Sequence, residues 1–142
     1  MNTGMRELAT GLWDQWAALW NGDLSLGEKI LGDDFAVIFG SATAAESGGD
    51  DLRGGAATAA YIGAFRARYA SLVYRTEVGP FVDMALVDGV PTGHLVCRWR
   101  ADVTDADGGS RVVAGHDILR IEGERITYAW SVTGVRDLTG IA

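Results

Sequence analysis

The sequence predicts a single α+β domain, with helices first and an antiparallel sheet after them. Apolar residues recur every three or four positions near the start of the chain, the helical period. After Ser71 the chain becomes rich in β-branched and aromatic residues, which favour strands. A length of 142 residues suits one domain with its own core, and 48% hydrophobic with 22% charged residues is typical of a globular protein.

The first half of the chain is predicted to be mainly helical. Asn21-Gly22 is a helix stop, and Ser25 with Glu28 resembles a capping box that opens a second helix. The expected elements, in order, are a helix over 5–20, a short helix from Ser25 to about Leu31, a strand over 35–39, a mobile loop over 40–55 and a helix over about 56–71.

The second half is predicted to be an antiparallel meander. Gly79-Pro80 interrupts its first stretch, and Asp88-Gly89 is a turn signal. The expected strands cover 72–78, 81–87, 94–104, 111–121 and 125–132.

Composition also limits the class of function. Cys97 is the one cysteine, which excludes an internal disulfide and a multi-cysteine zinc site. Twelve basic against nineteen acidic residues give a net charge of −7, which argues against nucleic acid or an anionic membrane as partner. No apolar run is long enough for a membrane helix, and the start lacks a signal-peptide pattern, so we expect a cytoplasmic protein.

Asp117 stands out in the strand 111–121. Past Arg111, the odd positions of this strand are apolar or small except for Asp117. An ionised carboxylate on an apolar face is unfavourable unless it is paired, so its pKa should rise or a partner should lie near. Such groups are candidates for general acid–base catalysis.

The hairpin before this strand decides which neighbours Asp117 has. A two-residue turn at Asp107-Gly108 is favoured, and this or another even-length loop gathers Arg98, Arg100, Asp102 and Asp117 on one face. A three-residue loop would instead put Trp99 opposite Asp117. The cluster could equally be a structural set of ion pairs on the outer face of the sheet.

The remaining candidates are weaker. His116 has the opposite parity to Asp117 and should point away from it, while His94 fits a pocket rim or the surface. The histidines and acids lack a metal-ligand spacing. Trp13, Trp16 and Trp20 are most simply core residues, although an aromatic cavity would suit a flat or cyclic ligand.

Several segments together resemble the SnoaL-like branch of the nuclear-transport-factor-2-like (NTF2-like) superfamily. They are Asp34-Phe-Ala-Val-Ile38, the helix that begins Gly54-Gly-Ala-Ala, and the C-terminal Gly115-His-Asp-x-x-Arg and Arg125-Ile-x-x-x-Trp130. The resemblance implies a cone-shaped, strongly curved antiparallel sheet around a pocket, closed by the N-terminal helices. It also implies a homodimer formed through the sheet.

The resemblance suggests roles for single residues. Polyketide cyclases of this type use an aspartate at the position of Asp117 as acid–base group. Limonene-epoxide-hydrolase-like members carry an Arg-x-Asp pair that matches Arg100 and Asp102, but Ser131 stands where they have a second aspartate.

The leading hypothesis is a cyclase or isomerase for a hydrophobic, oxygenated, polyketide-like molecule, with Asp117, Arg100 and Asp102 as catalytic residues. The expected substrate contacts are Trp16, Tyr61, Phe65, Arg98, Leu119 and Ser131. Proton transfer in such a pocket requires no metal or organic cofactor. The alternatives are epoxide opening by Asp102 and Arg100, and a non-catalytic ligand-binding or dimerisation module.

Overall fold

The computed structural model describes residues 1–41, 44 and 46–134. This part of the chain contains three helices and five strands. The helices and the first strand occupy the N-terminal half, and the other four strands follow in succession. The helices are α1 (Thr3–Trp20), α2 (Leu26–Ile30) and α3 (Gly54–Arg66), with a 3₁₀ turn at Gly49–Asp51. The strands are β1 (Leu31–Phe39), β2 (Tyr69–Val87), β3 (Val90–Asp105), β4 (Ser110–Glu122) and β5 (Arg125–Thr133).

The five strands form one sheet in the order β1-β5-β4-β3-β2. From β2 to β5 the neighbours are antiparallel, as the meander predicts. β1 pairs with β5 in parallel, so the sheet is mixed and not wholly antiparallel. This pairing joins the two ends of the domain, because α3 and three strands lie between β1 and β5 in the sequence. The α+β class is confirmed.

Some element boundaries differ from the sequence prediction. β2 is one long strand that contains Gly79-Pro80, although its register with β3 shifts on both sides of Val78. The proline is tolerated because β2 lies at the edge of the sheet, where a missing N–H donor is not needed. α3 ends at Arg66 and β2 begins at Tyr69, so the helix predicted over about 56–71 extends too far at its C-terminal end. The Ser25 hydroxyl donates to Asp23 and does not cap α2.

The core lies between α1 and the concave face of the sheet. α1 buries one side of its surface: Ala9, Leu12, Trp13, Trp16, Leu19 and Trp20. Along β3 the odd positions are buried from Leu95 to Val103, while the even positions are at least partly exposed. Buried and exposed side chains therefore alternate along β3, as the geometry of a strand requires. Side chains at odd positions of β3 face α1, and those at even positions form the outer face of the sheet.

The β3–β4 hairpin has a three-residue loop and not the favoured two-residue turn. Asp105 N donates to Gly109 O, which leaves Ala106, Asp107 and Gly108 as the loop. Gly108 has a φ of 92°, the left-handed conformation that three-residue loops require at their last position. Cys97 is consequently opposite Asp117, and Arg98 is opposite His116. The predicted pairing of Arg98 or Arg100 with Asp117 is wrong, since an odd loop length exchanges the two faces.

Candidate active site

Asp117 lies on the concave side of the sheet with its side chain almost fully buried, at 5% exposure. Each carboxylate oxygen accepts a hydrogen bond from a different tryptophan. Trp16 Nε1 of α1 donates to Oδ2 at 2.9 Å, and Trp99 Nε1 of β3 donates to Oδ1 at 2.9 Å. Two indoles from two separate elements thus fix the orientation of the carboxylate.

Asp117 forms no ion pair with another described residue. Among residues 1–41, 44 and 46–134, none of the ion pairs involves Asp117. Burial raises the pKa of Asp117 above its ordinary value of 3.8, and the hydrogen bonds from Ser131, Trp16 and Trp99, together with the charge of His116, oppose this rise. Asp117 is therefore a buried carboxyl group that hydrogen-bond donors orient, with a raised pKa.

A cavity of about 110 Å³ opens onto this carboxylate. Aromatic side chains from two helices and three strands dominate its wall: Trp13, Trp16, Trp20, Phe39, Tyr61, Phe65, Tyr74 and Trp99. The polar residues on the wall include Ser41, Arg75, Asp117, Ser131 and Thr133, and the Arg75 guanidinium forms an ion pair with Asp102. A mainly apolar wall with few convergent polar groups is typical of a small-molecule site.

The local sequence explains how the indoles reach Asp117. Trp13, Trp16 and Trp20 follow the helical period, so α1 presents all three to the cavity. Trp99 lies two positions beyond Cys97 and pairs with Gly115. A Cβ atom on Gly115 would come within 2.5 Å of the Trp99 ring and 2.2 Å of Val132 O. Only glycine at this position leaves room for the Trp99 ring beside Asp117.

The structure brings five of the sequence-predicted site residues together. Asp117, Trp16, Tyr61, Phe65 and Ser131 all line the cavity. Ser131 is also the residue opposite Asp117 on β5. Leu119 is fully buried in the core and is not part of the cavity wall.

The predicted arginines and the second aspartate lie elsewhere. Arg98 forms an ion pair with Glu77 at 3.1 Å. Asp102 forms ion pairs with Arg75 at 3.3 Å and Arg100 at 3.7 Å. These even positions of β3 belong to the outer face, so the expected catalytic roles of Arg100 and Asp102, and the contact of Arg98 with substrate, do not fit the cavity.

Trp99 and Tyr74 are among the cavity residues that the predicted site does not include. Trp99 would follow from the three-residue loop, which places the odd positions of β3 beside Asp117. Tyr74 has the parity of the buried Leu72 on β2, and this alternation is a signal that the sequence contains. Its ring lies 5.2 Å from that of Trp99.

Neither a metal-binding cluster nor a membrane-spanning helix occurs in the part of the chain that the structure describes. No group of three histidine, cysteine, aspartate or glutamate side chains is placed to hold a metal ion there. No helix among these residues is both long and apolar enough to cross a membrane.

Comparison with known proteins supports the fold. No protein-family model matches the chain, and no curated protein matches it. Several solved structures, in contrast, match the chain in fold. A SnoaL-like polyketide cyclase from Agrobacterium tumefaciens is 15% identical, with a TM-score of 0.62 over 95% of this chain and 94% of that one. An NTF2-like superfamily protein from Salmonella enterica is 12% identical, with a TM-score of 0.67 over 97% and 96% of the two chains.

A third match is an NTF2-like protein of unknown function from Exiguobacterium, at 14% identity and a TM-score of 0.64 over 88% of this chain and 99% of that one. The chain therefore has the NTF2-like fold, as the sequence resemblance implies. The same fold occurs in a cyclase and in a protein without a known function, so the function must be inferred from the residues of the site and not from the fold.

Proposed function

We propose that this protein is an acid–base enzyme, an isomerase or cyclase that acts on an uncharged, hydrophobic, oxygenated compound of the polyketide-like class. The observation that carries this proposal is the Asp117 carboxylate, buried at the wall of an aromatic cavity and oriented by neutral donors, among them the indoles of Trp16 and Trp99. The SnoaL-like cyclase with the same fold adds support for this class of reaction.

The proposed chemistry uses Asp117 as a base. Its ionised carboxylate removes a proton from a carbon next to a substrate carbonyl. The C–H electron pair forms a C=C bond to the carbonyl carbon, and the carbonyl π electrons move onto oxygen to give an enolate. For isomerisation, the carboxyl group returns the proton to a different carbon of the enolate. For cyclisation, the enolate carbon attacks a second carbonyl group, and the carboxyl proton goes to the new alkoxide. Either sequence restores the ionised Asp117 and is balanced without a redox partner.

The structure offers no support for the epoxide-opening alternative. That reaction depends on Asp102 and Arg100, which lie on the outer face of the sheet, where Asp102 forms ion pairs with Arg100 and with Arg75. A non-catalytic binding module remains the contrasting hypothesis, since an aromatic cavity can hold a ligand without transforming it.

Proton exchange on a simple ketone tests the proposal. Cyclohex-2-enone is incubated with the protein in D₂O, and NMR follows loss of the acidic C–H signals. We expect exchange with the native protein and at least about a hundredfold less with Asp117→Asn. Asp14→Asn, which changes an exposed carboxylate on α1, serves as the matched control. Full exchange activity in a folded Asp117→Asn protein would exclude the assigned base, and binding without exchange would favour the binding module.

We also propose that the protein forms a homodimer through the outer face of the sheet. Ile38 and Ile118 both pair with Trp130, and these three adjacent side chains are 47%, 41% and 38% exposed. Neighbouring apolar groups of this size on a sheet face are a common feature of interfaces.

A further inference from the structure

We propose that the aromatic cavity also binds a small organic cation, a protonated monocyclic amine, with the Asp117 carboxylate as its counterion. This cation site goes beyond the proposed enzyme, because an amine that pairs with Asp117 binds whether or not the protein catalyses proton transfer. Four observations carry the proposal: the series of aromatic rings around the cavity, the carboxylate that closes it, the charges on the wall and the cavity volume.

Four aromatic rings on the cavity wall form a continuous series of contacts. Trp16 contacts Trp20 at a centroid distance of 5.9 Å. Tyr74 contacts Trp20 at 5.8 Å on one side and Trp99 at 5.2 Å on the other. The three interplanar angles are 67°, 68° and 74°, so successive rings turn steeply relative to each other, as the walls of a box do. Aromatic faces carry the negative part of the ring quadrupole, and such boxes bind organic ammonium groups.

Asp117 closes this series of rings. Trp16, at one end of it, donates to Oδ2, and Trp99, at the other end, donates to Oδ1. A carboxylate has about four acceptor positions, so these two bonds and the one from Ser131 leave capacity for an N–H group of a ligand. The three donors carry no net charge and leave the negative charge of the anion in place. A protonated amine would supply a positive charge and a strong, charge-assisted hydrogen bond together.

The other charged side chain among the described wall residues does not compensate Asp117. It belongs to Arg75, whose guanidinium lies 3.3 Å from the Asp102 carboxylate and whose side chain is 67% exposed. His116, the neighbour of Asp117 in β4, is exposed on the outer face. The net charge of −7 favours the approach of cations to the protein as a whole. The charge of a bound amine would therefore find its partner in Asp117.

The volume of the cavity limits the ligand to a single ring. At about 110 Å³ it is of the order of a cavity that holds one benzene ring, roughly 150 Å³. Piperidine is a six-membered ring whose methylene groups suit the apolar wall. An alkylammonium group has a pKa of about 10.4, so piperidine is a cation at neutral pH. Burial of this cation is unfavourable without a counterion, and Asp117 is that counterion.

Isothermal titration calorimetry with two ligands tests the cation site. Piperidine is compared with tetrahydropyran, in which a neutral oxygen replaces the NH₂⁺ group of piperidinium in a ring of the same size. We expect the native protein to bind piperidine at least about thirtyfold more tightly than tetrahydropyran, because a buried charge pair contributes this much. Equal affinities would mean that the cavity selects shape alone. That result, or the absence of piperidine binding, would overturn the proposal.

Two matched variants separate Asp117 from the overall charge of the protein. Asp117→Asn should lower the affinity for piperidine at least about thirtyfold. Asp14→Asn removes the same charge at an exposed position on α1 and should change this affinity by less than about twofold. Equal losses in the two folded variants would show that net charge alone attracts the amine, which would contradict the assigned counterion.

A third variant tests the aromatic rings. Tyr74→Leu removes one ring of the series, and with it an aromatic face, while the carboxylate stays in place. We expect the affinity for piperidine to fall about fivefold more than the affinity for tetrahydropyran, because the attraction between a ring face and a cation is lost. An equal fall for both ligands would reject the contribution of the ring to cation binding.

Proton release tests the same pairing in the native protein, without any substitution. A bound ammonium group lowers the pKa of Asp117, so binding expels a proton at any pH at which this carboxyl group is partly protonated. Calorimetry in buffers of different ionisation enthalpy should show proton release with piperidine and none with tetrahydropyran. Piperidine binding without proton release over the titration range of Asp117 would overturn the pairing.

The amine also has a defined effect on the proposed reaction. Because it pairs with the base, piperidine should inhibit the exchange of cyclohex-2-enone competitively. Piperidine binding that depends on Asp117 in a protein without exchange activity would keep the cation site and reject the proposed enzyme. Exchange activity that piperidine does not inhibit would keep the enzyme and reject the cation site.

Discussion

At the scale of single residues, the state of Asp117 is a balance between burial and hydrogen bonding. Burial favours the neutral acid, whereas the indoles of Trp16 and Trp99 favour the anion. The net effect is a pKa above the ordinary range, which makes the ionised group a stronger base. The strength of the base should therefore respond to each indole separately.

Replacing Trp16 or Trp99 by phenylalanine should raise the pKa of Asp117 further. A hydrogen bond to a charged group contributes roughly 1.5–3 kcal/mol, and 1.36 kcal/mol corresponds to one pKa unit. The rising limb of the pH–rate profile should move up by about one to two units in either variant. Trp13→Phe is the control, because the Trp13 indole donates to Thr76 and not to Asp117. Equal shifts in all three variants would mean that lost packing, and not the donated proton, changes the base.

Asp117 should also make the stability of the fold depend on pH. Because its pKa is raised in the folded state, the native protein binds more protons than the unfolded chain between the ordinary value of 3.8 and the folded value. The contribution of Asp117 to stability is thus full below about 3.8 and is lost as the pH rises through the folded pKa. Urea unfolding across this range should show the decline in the native protein, whereas Asp117→Asn should lack that part of it. A native curve parallel to that of Asp117→Asn would contradict the raised pKa.

At the scale of elements, β4 supplies both the base and the space beside it. Gly115 lies two residues before Asp117 on the same face, and its lack of a side chain admits the Trp99 ring. We expect Gly115→Ala to displace that ring and to lower the exchange rate at least tenfold, since a hydrogen bond to the base is lost. Enzyme assays with the folded variant measure this effect.

Gly11→Ala is the matched control for this substitution. Nothing lies within 4 Å of a Cβ atom built at Gly11, on the exposed side of α1. This change should stabilise the protein by about 0.5–1 kcal/mol through helix propensity and leave exchange unaltered. Normal exchange in Gly115→Ala would show that Trp99 is not needed at its present position.

The elements also show how far the sequence alone leads. Alternation along β3 and β4 places Asp117 on the buried face, because side-chain parity depends only on the strand itself. The β3 residues that lie opposite Asp117 depend on the length of the β3–β4 loop, and the common two-residue turn predicts this length wrongly. Gly108 and Gly109 allow two turns of even length and one of three residues, and only the hydrogen bond from Asp105 N to Gly109 O decides between them. The contribution of α1 through Trp16 is a tertiary contact between residues 101 positions apart, which no local pattern reveals.

At the scale of the whole molecule, the two faces of the sheet differ in chemical character. Its concave face forms the aromatic cavity under α1, and its outer face carries the ion pairs of Arg98, Arg100 and Asp102 beside exposed apolar groups. The outer face is where we expect a second copy of the chain to bind. The arginines that the sequence suggests as catalytic would then lie at or near the dimer interface.

The proposed dimer predicts a specific effect of charge on this face. Ile118→Lys should convert the protein to a monomer in light scattering after gel filtration, because it places an unpaired charge in the centre of the apolar cluster. Val87→Lys, at the exposed end of β2, should leave the oligomeric state unchanged. A native protein that is monomeric at micromolar concentration would contradict the dimer.

If the buried Asp117 acts as the base, its titration must control the rate of proton exchange. The side-chain carboxyl carbon of Asp117 is followed by ¹³C NMR as the pH rises, with Asp117→Asn used to assign the signal, and the exchange rate of cyclohex-2-enone is measured over the same range. We expect one raised pKa to govern both curves, with exchange increasing as Asp117 ionises. A titration near 3.8, or an exchange rate that does not follow the ionisation of Asp117, would contradict the claim.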